Sequence, residues 1–421
     1  MNEILSFWAQ WLRPSAGLPT VQWSLLLAVA AMAGYLTQRH TGLPKVVGYS
    51  LVGTAAGLAG FSGAVWPLQG IGLFLLELGV AIVLFECGGR IPLRWFRHNP
   101  MVLVQSIAES VLTYFAVYWV LVWLQLPPQA AGPLALVALA ASPAVLTRVV
   151  ADTRAAGPVT ERAIVLTTLS TLYALTLGSA KAELINRQSL TVLEAVSPVV
   201  VVLGVSIVVA AVLALVLRMA LRFMSPTSEN TSMLFLALVA AGTAVAAHMG
   251  GSAPLAALLG GMLLKQLNPR PWAWPRQLGN ASSLLTMLMF VLVSTVAAQA
   301  DWSAPVAGVV LALIAVRLLA KALGVALGNV GSGASWKQAL WVGCAMTPMS
   351  SIALLIASQF VLASPSTGHV IAGVALPAIL LMEVFGAVIA TVAIYRAGES
   401  SKPWAPLTRS NNNNGESPRE S

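Results

Sequence analysis

Five ionisable residues, Glu77, Glu109, Arg317, Lys321 and Glu383, each lie deep within a run of apolar residues. At mid-depth in a bilayer such groups are costly, and they tend to face a bundle interior or a water-filled cavity where they hold ions or relay protons. Arg317 and Lys321 are four residues apart and share one helical face. Two readings stay open for them. Each neutralises a buried glutamate as a structural pair, or the two present a charge that competes with a transported cation or proton. Glu109 has no basic residue within four positions, which makes it the first candidate for a carboxylate that carries a proton. Glu77 and Glu383 come second, and either could instead be the counter-ion of Arg317 or Lys321. Glu86 and Arg90, also four apart, read as an ordinary helical ion pair.

Two further places combine hydroxyls with proline. Ala140-Ala141-Ser142-Pro143-Ala144 and Ala345-Met346-Thr347-Pro348-Met349 each put a Ser/Thr-Pro step inside an apolar run. Proline removes a backbone donor and its ring clashes with the carbonyl four residues back. Hydrocarbon cannot satisfy the groups so freed, and such a break belongs in protein or beside water. Both breaks are expected to unwind near mid-membrane and to lie close together.

These residues need helices to carry them, and the sequence supplies helices and little else. Apolar residues make up 58% of the 421 and charged residues 9%, with mean hydropathy +0.83; a soluble domain carries roughly 25% charged residues. Reading apolar runs against a requirement of about 20 residues per crossing gives thirteen segments. Their limits are 20–37, 43–60, 69–89, 100–124, 133–151, 162–180, 195–222, 231–249, 252–267, 281–299, 304–328, 336–362 and 368–396. With the N-terminus outside, 18 basic residues fall on the inner side, from Arg39 and Lys45 to Arg409 and Arg419; only Arg13, Lys181 and Arg187 fall outside. That asymmetry follows the positive-inside rule and places the C-terminus in the cytoplasm. Segments 1–6 and 8–13, at about 20–180 and 231–396, then form halves of opposite topology around a linking segment at 195–222, with a hydroxyl-proline break fifth in each. Discontinuous helices in matching positions of two inverted halves point to a transporter's binding site. The expected fold is an all-α polytopic membrane protein of about thirteen spans, with inverted repeats and two broken, crossing helices.

Other classes fit poorly. The formal charge of +9 is scattered over short loops and does not form the single basic face of a nucleic-acid binder. Cys87 and Cys344 sit in apolar runs and give no disulfide framework. No nucleophile–base set, Gly-rich phosphate loop or His/Cys metal spacing is present, so neither an enzyme nor a cofactor is expected. Residues 1–12 carry Glu3 and no basic residue, so insertion is expected through the first apolar helix and not a cleaved signal. Residues 397–421, ending beyond an Asn411 to Asn414 tract, read as a disordered cytoplasmic tail. Gly48, Gly53 and Gly57 include a Gly-xxx-Gly step of the kind that lets helices pack closely.

Several stretches resemble the sodium/hydrogen exchanger family of the cation:proton antiporter superfamily. Leu43-Pro44-Lys45-Val46-Val47-Gly48-Tyr49 is similar to the entry of its second helix, and Glu77-Leu78-Gly79-Val80 with Leu84-Phe85 to its third. Ser142-Pro143-Ala144-Val145 is similar to its fifth-helix break, Gly250-Gly251-Ser252-Ala253-Pro254-Leu255 to a small-residue turn, and the span with Arg317 and Lys321 to its basic helix. The resemblance implies a core of crossed helices moving against a scaffold, a homodimer in the inner membrane, and exchange of a monovalent cation such as Na+ or K+ for protons. With the two breaks, it points to an ion path past Ser142, Pro143, Thr347 and Pro348, lined by Ser170 and Thr171. One departure stands out. The sixth span of family members carries an acidic residue that binds the cation, whereas here Ser170 and Thr171 occupy that place and no carboxylate lies between Glu161 and Glu183. Hydroxyls neither neutralise a cation nor carry a proton near pH 7, so coupling falls to Glu109, Glu77 or Glu383. An anion or neutral-solute carrier using Arg317 and Lys321, and a non-transporting regulatory subunit, remain the alternatives.

Overall fold

The structure is a computed structural model, and it describes residues 19–61, 66, 70–91, 93, 96, 99–185, 192–225, 228–268, 276–300 and 302–402. Arg13, Arg94, Arg97, Arg187, Arg270, Arg409, Arg419 and the Asn411 to Asn414 tract lie outside the described residues. Fifteen α-helices follow one another within them: α1 (Pro19–Thr41), α2 (Lys45–Leu58), α3 (Gly70–Gly89), α4 (Met101–Trp123), α5 (Pro128–Leu139), α6 (Pro143–Thr153), α7 (Pro158–Leu184), α8 (Val192–Phe223), α9 (Glu229–His248), α10 (Ala253–Leu267), α11 (Arg276–Ala297), α12 (Ala304–Leu327), α13 (Trp336–Ala345), α14 (Ser351–Ala363) and α15 (Pro365–Arg396). Each of the thirteen apolar segments has its helix, and the fifth and twelfth have two, split at the hydroxyl-proline steps. Nine stretches among the described residues are long and apolar enough to cross a membrane, the α5–α6 pair counting as one of them.

Local chemistry sets many of these boundaries. Helices α5, α6, α7, α10, α12 and α15 are among those with proline in their first positions, where its missing N–H has no intrahelical partner to lose. Ser335 and Gln338 form a reciprocal capping box at the start of α13.

The outer surface is apolar. Leu25, Val29 and Met32 of α1, Phe115 and Trp119 of α4, and Leu319 and Leu323 of α12 are all exposed, which suits lipid as the solvent. The helices pack as two bundles. In one, α1–α3 pack with α9–α11; in the other, α4–α7 pack with α12–α15. Between them runs α8, against α7 on one side and α9 and α10 on the other. The close packing expected of the glycines in α2 is present: a side chain at Gly53 or Gly57 would run into the Val291 or Thr295 carbonyl of α11.

The predicted tail does not begin where the last helix ends. The Glu399 carboxylate accepts hydrogen bonds from the Val159 and Thr160 amides at 2.8 and 2.7 Å, occupying the orphan N–H groups at the start of α7. Lys402 Nζ donates to the Asp152 carbonyl and Ser400 Oγ to that of Thr153. Residues 399–402 are therefore docked against the α6–α7 corner, a correction to the boundary read from polarity alone.

Candidate functional site

The second bundle is organised around the two interruptions. Helix α5 stops at Leu139 because Pro143 cannot continue it, and Ser142 caps α6 by accepting from the Val145 amide. Helix α13 stops at Ala345 and α14 starts at Ser351, beyond Pro348. The two breaks meet: the Ser142 amide donates to the Pro348 carbonyl at 2.9 Å. Gly386 of α15 rests against Pro348, with no space for a side chain between them. The meeting of two broken helices places two half-helix N-termini and two C-termini at one point, a concentration of partial charges of both signs.

Arg317 and Lys321 project from α12 into this point, and both are fully buried. The Arg317 guanidinium donates through Nε to the Ala138 carbonyl (2.7 Å), through Nη1 to that of Thr347 (2.5 Å) and through Nη2 to that of Ala140 (2.9 Å). It thus fixes the frayed end of α5 to the frayed end of α13. Lys321 Nζ donates to Glu109 Oε1 at 2.5 Å, to the Leu139 carbonyl at 3.2 Å and to Ser170 Oγ at 3.3 Å, which uses all three ammonium protons. Glu109 also accepts from Ser110 and Thr113. The approach that allows this pair is close: Gly324, one turn after Lys321, lies against the Glu109 backbone where a Cβ would not fit.

Ser170 and Thr171 both face the break. Ser170 Oγ sits 2.9 Å from Glu109 Oε2 and 3.3 Å from the Leu139 carbonyl, so its one proton serves either. Thr171 Oγ1 lies 2.8 Å from the Thr167 carbonyl of its own helix and 3.0 Å from the Ala141 carbonyl, so its one proton serves either. A carboxylate is present beside Ser170 after all, delivered by α4 and not by α7.

The other sequence candidates separate. Lys321 takes Glu109 as its counter-ion and Arg317 takes carbonyls, so neither Glu77 nor Glu383 fills that structural role. Glu77 lies on the exposed face of α3, away from the crossing; an all-apolar helix gave no polar stripe from which its direction could be read. Glu383 is fully buried on α15, one turn before Gly386, and accepts from Ser50 Oγ of α2 at 3.1 Å. Glu86 and Arg90 form the expected ion pair at 2.7 Å. Ser50, Ser294 and Ser350, which surround Glu383, were not singled out from the sequence. A serine inside an apolar span reads the same whether it bonds its own backbone or a neighbouring helix.

A lateral groove of about 480 Å³ between α4, α5, α7 and α8 reaches Ser110, the neighbour of Glu109. Its walls, including Tyr114, Phe115, Tyr173 and Leu177, are largely apolar, which makes it a poor path for a bare ion.

Broken helices crossing inside an apolar bundle, with buried charges fixed at their ends, define a transporter-type membrane fold. The comparisons agree. The family model for the sodium/hydrogen exchanger transmembrane region matches residues 27–397, and the chain belongs to that family. No curated protein matches. Among solved structures, the sodium proton antiporter MjNhaP1 from Methanocaldococcus jannaschii at pH 8 is similar with TM-score 0.65 and 15% identity, over 90% of this chain and 96% of that one. A second structure of the same antiporter gives TM-score 0.64 and 17% identity, over 96% and 100%.

Proposed function

We propose that this protein exchanges a monovalent cation, Na+ or K+, for protons across the inner membrane. The observation that carries the reading is a buried, unpaired carboxylate beside the crossing. The nitrogens of Arg317 and Lys321 are each engaged by carbonyls, Ser170 or Glu109, so neither side chain presents an unengaged nitrogen to an anion. The carboxylate is Glu383, fully buried, with no basic partner among the described residues and no hydrogen-bond partner at Oε2. Isolated buried carboxylates are strongly disfavoured, and this one is neutralised by what an antiporter carries, a proton or a cation. Family membership and the likeness to a sodium proton antiporter support the same reading. The repeats at about 20–180 and 231–396, joined by 195–222, supply a core that moves against a scaffold, and the scaffold is the expected homodimer surface.

Flux tests it. In proteoliposomes holding a pH gradient, addition of NaCl or KCl is expected to dissipate the gradient where choline chloride does not. Dissipation that follows chloride with any cation would favour the anion carrier. No response to any monovalent ion would favour the non-transporting subunit.

Orientation has its own test. In a background without Cys87 and Cys344, a cysteine in the 63–68 loop is expected to react with an impermeant thiol reagent from outside. Ala156→Cys, at an exposed position, is expected to react only from the cytoplasm. Labelling of both from one side would overturn the N-out, C-in arrangement.

A further inference from the structure

Glu383 sits where the two bundles touch. The Ser50 hydroxyl comes from α2 and the Ser294 hydroxyl from α11, both in the first bundle. Glu383 on α15 and Ser350, the residue before α14, belong to the second. All four are buried, Ser350 with 1% exposure and the rest with none. The three hydroxyls lie against one carboxylate. Only one contact reaches full hydrogen-bond geometry, Ser50 Oγ to Glu383 Oε1 at 3.1 Å. Ser294 Oγ and Ser350 Oγ approach the carboxylate without completing a hydrogen bond, and Glu383 Oε2 has no partner of full geometry, although each is buried. Buried polar atoms in folded proteins are nearly all satisfied, and unsatisfied ones call for an explanation such as an ion. Three converging on the same space is a donor set in want of an acceptor of lone pairs.

The chemistry of that set is specific. It contains oxygen only, which selects hard cations over the softer metals that take imidazole or thiolate. It carries a single formal charge, which one alkali-metal ion balances and a divalent ion would exceed. Each hydroxyl both donates and accepts, so the serines can point protons at a bare carboxylate or turn lone pairs toward a cation. The α14 N-terminus at Ser350 carries positive partial charge and favours the ionised carboxylate.

We infer that Glu383, Ser50, Ser294 and Ser350 form the binding site for the monovalent metal cation, at the seam between the bundles and next to the Pro348 break. The inference rests on the antiport reading and deepens it by moving the ion-binding carboxylate from the sixth span, where this chain has Ser170, to the last helix. Because two ligands come from each bundle, occupancy clips the bundles together, and any motion of one against the other must break or carry the site.

The test reads binding apart from transport. The full-length protein in detergent is heated in NaCl, KCl, LiCl or choline chloride at matched concentration, and its unfolding is followed. At least one alkali cation is expected to raise the midpoint saturably over choline. Glu383→Gln should abolish that dependence, and Ser50→Ala or Ser294→Ala should weaken the apparent affinity on the order of tenfold, the loss of one ligand. Ser358→Ala removes another buried, unpartnered hydroxyl two turns along α14 and should leave the response unchanged. A cation response retained in Glu383→Gln would overturn the site, as would a wild type with no cation-specific response. Cation-driven proton flux that survives Glu383→Gln would overturn the site while leaving the antiport reading standing. Cation binding lost in Glu383→Gln, in a protein that shows no flux, would support the site and sink the antiport reading.

Discussion

Lys321→Ala is expected to cost roughly 3–5 kcal/mol of stability, the range found when one partner of a buried ion pair is removed. The loss comes less from the vanished attraction than from what stays behind: a Glu109 carboxylate at 0% exposure without its ion-pair partner. Glu109→Gln should destabilise by a similar mechanism, stranding the ammonium. A pure proton carrier would behave differently, because Gln keeps its shape and the fold would stand while exchange failed. The double variant Lys321→Met with Glu109→Gln should be more stable than either single change, since buried pairs can be replaced by neutral groups at little cost. Chemical or thermal unfolding in detergent, arranged as a double-mutant cycle, reads the difference. Single variants that both unfold like the wild type would mean that water reaches the pair and that its role is not structural.

The second large effect is expected at Arg317. Its three nitrogens each donate to a carbonyl at the ends of α5 and α13, and a buried group left unpaired costs about 1–3 kcal/mol. Arg317→Ala therefore removes several kcal/mol at the crossing and leaves a cavity as well. Arg317→Lys should recover only part of it. An ammonium on a flexible stem is a point charge, whereas the planar guanidinium presents donors in fixed directions that suit carbonyls on two different helices. The expected order of thermal stability is wild type, then Lys, then Ala. A Lys variant equal to the wild type would show that charge alone, without the fork, holds the breaks together.

Much of this architecture was legible in the residues. Thirteen apolar runs were enough to place the helices, because a bilayer demands a certain length and tolerates few charges within it. The two hydroxyl-proline steps marked the interruptions, because proline's missing donor and steric clash act on its own helix wherever that helix lies. Glu86 and Arg90 found each other for the same reason: a pair four residues apart on one helix depends on nothing beyond that helix. Local polarity misled at Glu399, whose hydrogen bonds to the start of α7 tie down a segment that composition alone marks as disordered.

What the sequence by itself determined, then, is where the chain is helical, where it breaks and which charges are stranded in apolar surroundings. Partnership was decided by the tertiary structure, since partners lie far apart along the chain and on different helices. Lys321 meets Glu109 across 212 positions because glycine at 324 lets α12 approach α4, and Ser50 meets Glu383 across 333. Helix direction was hidden for a related reason. In a soluble helix the polar stripe shows which way a residue points, but spans surrounded by lipid and protein are apolar on every side, so the exposed Glu77 and the buried Glu383 look alike until the bundles are assembled.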